Sequence, residues 1–203
     1  MKIYYITFLI FAVGLLVILS ITESQPTTDT PAQQLEDYQV QDMEIAVKLH
    51  IVESDGKESM RNEEEAGELT GEANRIWRQA GIRFSVTSVS HTDIEGRTIS
   101  DAVNGSPAAI ALVEGYGPDR INVFFVPELD GINGISFPSY RSILIADYTT
   151  VHDYRTLAHE LGHILGLRHS PYEEKLMATG TNGELLGLEE ISFARYKAGR
   201  VFH

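Results

Sequence analysis

The 203-residue sequence contains no cysteine. That absence excludes disulfides, a thiol nucleophile, thiolate metal ligands and any latency device built on a cysteine. Histidines and carboxylates remain as the side chains able to hold a transition metal. Basic residues are scarce too: 16 Lys and Arg stand against 29 Asp and Glu, a net charge of −13. Residues 1–24 hold only Lys2 and Glu23 among charged side chains, so the rest of the chain carries the same imbalance. An acidic field repels phosphate backbones and anionic headgroups, which argues against nucleic acid and against a polybasic membrane patch. Internal repeats and low-complexity blocks are missing as well, and the length suits one domain of ordinary size.

What is present begins with residues 3–21, nineteen positions without a charge and rich in Ile, Leu, Val and Phe. The run is long for a secretory signal and just long enough to span a bilayer, and Thr22-Glu23-Ser24 is a mediocre cleavage site. Residues 1–24 therefore read as a signal peptide or an N-terminal membrane anchor, and both imply export, with the rest of the chain secreted or tethered outside the cytoplasm. Residues 25–42, rich in Pro, Thr, Gln and Asp, read as a flexible linker. The globular part is expected over 43–203.

Within it, Ile45, Val47, Leu49 and Ile51 alternate with Glu44, Ala46, Lys48 and His50, a strand with one buried face and His50 on the outward one. Residues 57–80 carry Ala66, Leu69, Ala73, Ile76 and Trp77 at helical spacing, and Gly81 stands at the stop. The run Glu63-Glu64-Glu65 reads as solvated surface and Trp77 as core. A second strand alternates through Ile82, Phe84 and Val86. A short helix over 106–114, buried strands over 121–126 and 142–146, and a last helix over 188–198 complete a mixed α/β chain.

The chemistry concentrates in His159-Glu160-Leu161-Gly162-His163-Ile164-Leu165-Gly166-Leu167-Arg168-His169. Residues four apart on a helix sit one above the other, so His159 and His163 can offer two imidazole nitrogens to one ion while Glu160 stands beside it. Gly166 tolerates the positive φ needed to turn the chain sharply and return His169 as a third nitrogen donor. Three neutral nitrogen ligands with one open position suit a catalytic zinc, whereas structural sites normally fill the fourth place with protein. Five fixed positions arise by accident at about one start in three million. His50, His91, His152 and His203 lack partner spacing and are not expected to join them.

This motif, followed eight residues later by Met177 in Lys175-Leu176-Met177-Ala178, resembles the metzincin zinc endopeptidases and their Met-turn, and Ser170 after the third histidine is similar to the matrixin branch. The resemblance extends from about residue 43 to 199. It implies an α/β (α+β) metzincin-like domain, a mixed twisted sheet with an active-site helix and a C-terminal helix. It further implies one catalytic Zn²⁺ on His159, His163 and His169, Glu160 as general base, and Met177 as an apolar floor. Residues 131–140 occupy the place of the edge strand that pairs with an extended protein or peptide substrate, with Gly134, Ile135 and Ser136 as the binding residues. Departures limit the likeness. No propeptide cysteine exists, Thr179 stands where astacins and serralysins carry a tyrosine, and Asp130-Gly131-Ile132-Asn133-Gly134 is too sparse for a second metal loop. A catalytically inactive zinc-binding domain and a hydrolase of non-peptide amides or esters remain as alternatives.

Overall fold

The computed structural model describes residues 42–202; the signal or anchor over 1–24, almost all of the linker over 25–42, and His203 lie outside them. Among the described residues no helix is long and apolar enough to cross a membrane. Strand β1 (Met43–Ser54) forms where the sequence alternates, and β2 (Lys57–Glu58) folds back antiparallel on its end. Helix α1 (Glu63–Trp77) starts at Asn62, whose side chain accepts from the Glu65 amide at 3.0 Å while the Glu65 carboxylate accepts from the Asn62 amide at 3.1 Å. The helix is shorter than the 57–80 pattern because β2 takes its first residues and a 3₁₀ turn at Arg78–Ala80 takes its last, before Gly81 turns the chain at φ 58°. The acidic triplet is the first helical turn, where negative charge complements the helix dipole.

Strand β3 (Ile82–Asp93) pairs parallel with β1, and β4 (Ile121–Val126) pairs parallel with its other side. Next come β6 (Ser142–Ala146), parallel to β4, and β5 (Gly134–Phe137), antiparallel to β6 at the sheet's edge. Helix α2 (Gly96–Val103) and a 3₁₀ segment at Pro107–Leu112 lie between β3 and β4. The 3₁₀ segment is what the 106–114 pattern becomes, and α2 had no sequence counterpart. Helices α3 (Asp153–Ile164) and α4 (Leu188–Val201) follow β6.

Both sheet faces are covered. One carries Ile45, Val47, Leu49 and Phe125 against Trp77 of α1, Leu161 of α3 and Ala194 of α4. The other carries Val52, Phe124, Val126 and Leu144 against Ile99 of α2 and Ile110. This second cover corrects the outward reading of His50, which is fully buried and stacks on Phe124 at 4.2 Å between ring centroids. Its Nδ1 lies 3.1 Å from Thr92 Oγ1 and its Nε2 3.3 Å from Asn122 Oδ1. Burial holds the imidazole down at about 4, against a weaker upward pull from Asn122. Val86 departs in the opposite sense: it pairs with buried Val47 and shares its face, yet is 39% exposed, and a bulge at Thr87 follows it, so that Lys48 faces Ser88.

Candidate functional site

Helix α3 packs on the sheet face that carries Ile45, Val47 and Phe125 and buries nine of its twelve residues. Its first turn is anchored by Arg61, which donates from Nη1 to Asp153 at 2.9 Å. Its side rests on Trp77, whose indole N–H donates to the Ala158 carbonyl at 3.1 Å. Its end is a Schellman cap: the Gly166 amide donates to the His163 carbonyl and the Leu167 amide to the Gly162 carbonyl, both at 2.9 Å, with Gly166 at φ 82°. The turn expected from Gly166 is therefore present. It returns the chain beneath the helix so that His159, His163 and His169 meet, all three ligand atoms within 4.8 Å of one another.

The orientation of the rings follows from their outer nitrogens. His159 Nδ1 faces the Leu176 carbonyl at 2.8 Å and His163 Nδ1 faces the Leu167 carbonyl at 2.9 Å. A carbonyl only accepts, so each Nδ1 carries the hydrogen and each Nε2 presents a lone pair. His163 Nε2 lies 3.1 Å from both His159 Nε2 and His169 Nε2. Lone pairs aimed at one another repel unless a cation stands between them. A tetrahedral ion with Zn–N bonds of about 2.0–2.1 Å requires nitrogens about 3.3 Å apart, close to the 3.1 Å that separates His163 Nε2 from each of the other two. Burial also holds His159 down at about 4, keeping it neutral and able to ligate at physiological pH. The donor set thus fits zinc, and its carbonyl-bound Nδ1 atoms are the usual supporting shell.

Glu160 is 7% exposed and points to the same opening. Burial raises its pKa, opposed by the Ser136 hydroxyl and, more weakly, by His169 and Arg155. The sequence-predicted binding residues Gly134, Ile135 and Ser136 lie in β5, whose outer edge has no strand partner among the described residues, and they line an open groove of about 530 Å³ with Glu160, His163 and His169. Gly134 permits this closeness: a Cβ there would stand 2.9 Å from Ile145 and Thr156 and 3.2 Å from Glu160 Cγ. Met177 is fully buried beneath the histidines, against Gly162. The other described histidines stay apart, His50 in the second core, His91 beside Glu58, and His152 stacked on Tyr154.

Two residues escaped the sequence reading. Arg155 is only 3% exposed, and its guanidinium donates to the carbonyls of Leu176 at 2.6 Å, Gly183 at 3.2 Å and Ala178. It thereby ties the segment bearing Met177 to α3 and shares the Leu176 oxygen with His159. Its place one turn before His159 was the available signal, since 155, 159 and 163 share a helix face. Lys197, from α4, lines the same groove as the histidines. Nothing in the local sequence links it to them.

The matrixin family model matches residues 43–185. Among solved structures, the archaemetzincin of Methanopyrus kandleri is similar at 14% identity and a TM-score of 0.56, over 78% of this chain and 97% of that one. Mature mirolysin of Tannerella forsythia, in complex with a cleaved peptide, is similar at 12% identity and 0.55, over 80% and 98%. At such identities the likeness shows the fold. No curated protein matches the chain in sequence.

Proposed function

The chain belongs to the matrixin family and is a zinc metallopeptidase, a hydrolase acting on peptides; on that premise we propose an endopeptidase that cuts extended chains laid along β5, with one zinc ion held by His159, His163 and His169. The observation that carries the reading is the convergence of three imidazole nitrogens next to a buried carboxylate, below the outer edge of a strand.

A zinc ion bound there supplies Lewis acidity, acidifying water and stabilising negative charge on a carbonyl oxygen. Glu160 is the general base. It takes a proton from the attacking water and returns it to the departing amine nitrogen, and its raised pKa suits both halves of that transfer. The free backbone groups of Gly134, Ile135 and Ser136 pair with the substrate main chain and hold the scissile bond over Glu160, so alignment comes from strand addition rather than from one anchoring side chain. His159 and His163 are kept in the ligating tautomer by the Leu176 and Leu167 carbonyls. Met177 takes no part in proton transfer and fills the floor.

We also propose export, through a signal peptide or retained anchor at residues 1–24, supported by the uncharged run over 3–21. The test of the activity uses the zinc-loaded full chain in mild detergent with a diverse peptide mixture, with and without chelator, and reads new termini by mass spectrometry. Chelator-sensitive internal cuts are expected. Intact peptides with zinc confirmed bound would overturn the reading in favour of an inactive binding domain. Turnover of amide or ester probes alone would favour a non-peptide hydrolase.

A further inference from the structure

We propose that Lys197 is a specificity residue that selects substrates bearing Asp or Glu two or three residues before the scissile bond. This deepens the endopeptidase reading and rests on it.

Lys197 reaches the groove from α4, with its stem packed at the Gly166 turn: Cγ lies 3.8 Å from where a Gly166 Cβ would stand. The side chain is half-buried, and among the described residues it has no ion-pair or hydrogen-bond partner. In a chain with 29 acidic and 16 basic residues, a lysine left without a carboxylate is notable for where it sits. The rest of the groove offers Glu160, the histidines Nε2-directed inward, and small or apolar side chains from β5 and the Gly166 turn. Lys197 is thus its one ammonium group, a point charge with three donors and nothing of its own to bind.

The spacing fixes the subsite. Six residues separate Glu160 from Gly166, about 9 Å at about 1.5 Å per helical residue. An extended peptide rises about 3.3 Å per residue, so a side chain rooted at the Gly166 turn serves the second or third residue from a bond held over Glu160. Direction comes from β5: Gly134 lies over Thr156 and Glu160, and Pro138, just past the strand's other end, lines the same groove as Gly166 and Lys197. Antiparallel pairing, the more stable arrangement per residue, puts the amino-terminal part of the substrate at that end. The net charge of the chain repels acidic peptides at long range. The selection therefore acts on contact and fades as salt screens it.

The experiment profiles cleavage of a randomised synthetic peptide mixture by the zinc-loaded full chain, by Lys197→Gln and by Lys197→Glu. Zinc content and thermal midpoints of each are measured alongside to show that the fold and the triad are intact. Expected are about fivefold enrichment of Asp and Glu at the second or third residue before the cut, the size of a partly exposed ion pair, its loss in Lys197→Gln, and its replacement by Lys and Arg in Lys197→Glu. Cuts without acidic enrichment at that position, or enrichment that survives Lys197→Gln, overturn the proposal while leaving the peptidase intact. Absence of any chelator-sensitive cut overturns the peptidase reading itself and the proposal with it.

Discussion

Gly162 and Met177 are in contact so close that a side chain at 162 would displace the methionine: a Cβ there would lie 2.5 Å from the methionine sulfur and 3.1 Å from its terminal methyl. The helix bearing two of the three histidines and the floor beneath them are thus fitted to each other through a missing side chain. Gly162→Ala is expected to lose about 1–3 kcal/mol of stability by overpacking and to reduce turnover through displaced histidines. Met177→Ala leaves a cavity and costs about 2–5 kcal/mol alone. The double variant should recover part of the sum, because each change relieves the other. Denaturant titration of all four proteins reads that coupling, and simple additivity would show that the two groups do not interact.

Glu160→Gln is expected to retain zinc and fold while losing about 10²–10⁴ in turnover, as removal of a positioned base does. Met177→Leu, which keeps an apolar floor, should lose much less. Metal analysis and steady-state kinetics on both variants check the ordering, and equal losses would remove the distinction between base and floor.

Substitution of Arg155 by methionine orphans the buried Ala178 carbonyl and removes a donor from those of Leu176, which keeps His159, and of part-buried Gly183, so a loss of about 1–3 kcal/mol is expected. Zinc affinity should fall as well, because the Leu176 oxygen that orients His159 loses its second donor. A competition titration with a chromophoric chelator measures this directly. Unchanged affinity would confine Arg155 to a purely structural role.

Chelation should lower the thermal midpoint of the wild-type chain and leave that of His163→Ala nearly unmoved. An ion binding only the folded state adds about 2.7 kcal/mol at a hundredfold excess over its Kd. Calorimetry with and without added zinc distinguishes the two proteins.

Stability should also respond to His50. Its folded pKa of about 4 lies below the unfolded value of 6.5, so the unfolded chain binds the extra proton first. The contribution is complete above pH 6.5 and is lost as pH falls towards 4, about 3 kcal/mol in all. His50→Gln, which keeps a polar partner for Asn122 and Thr92, should flatten the decline in denaturant midpoint over that window. An unchanged slope would mean that His50 does not titrate on unfolding.

The parts of this molecule that a sequence reveals are those governed by local rules. The histidine spacing, the Gly166 turn and the buried strand β4 depend on helix periodicity, left-handed φ and composition, and each stands where the pattern puts it. His50 was misread because alternation distinguishes two faces without saying whether the second is also covered, and α2, which helps to cover it, left no sequence signal that was recognised. Val86 was misread because alternation assigns a face without saying how far the cover over that face extends: it shares a face with buried Val47 and is still exposed. Arg155 and Lys197 are set by long-range packing, of the Met177 segment and of α4, and no local rule reaches that far.

The depth of α3 has a consequence for dynamics. With nine of twelve residues buried, the helix has no cheap way to fray, so its interior amides should exchange with solvent only when the whole domain opens. Accommodation of different substrates then falls to the edge strand and the surrounding loops, while His159, Glu160 and His163 are held as firmly as the fold itself.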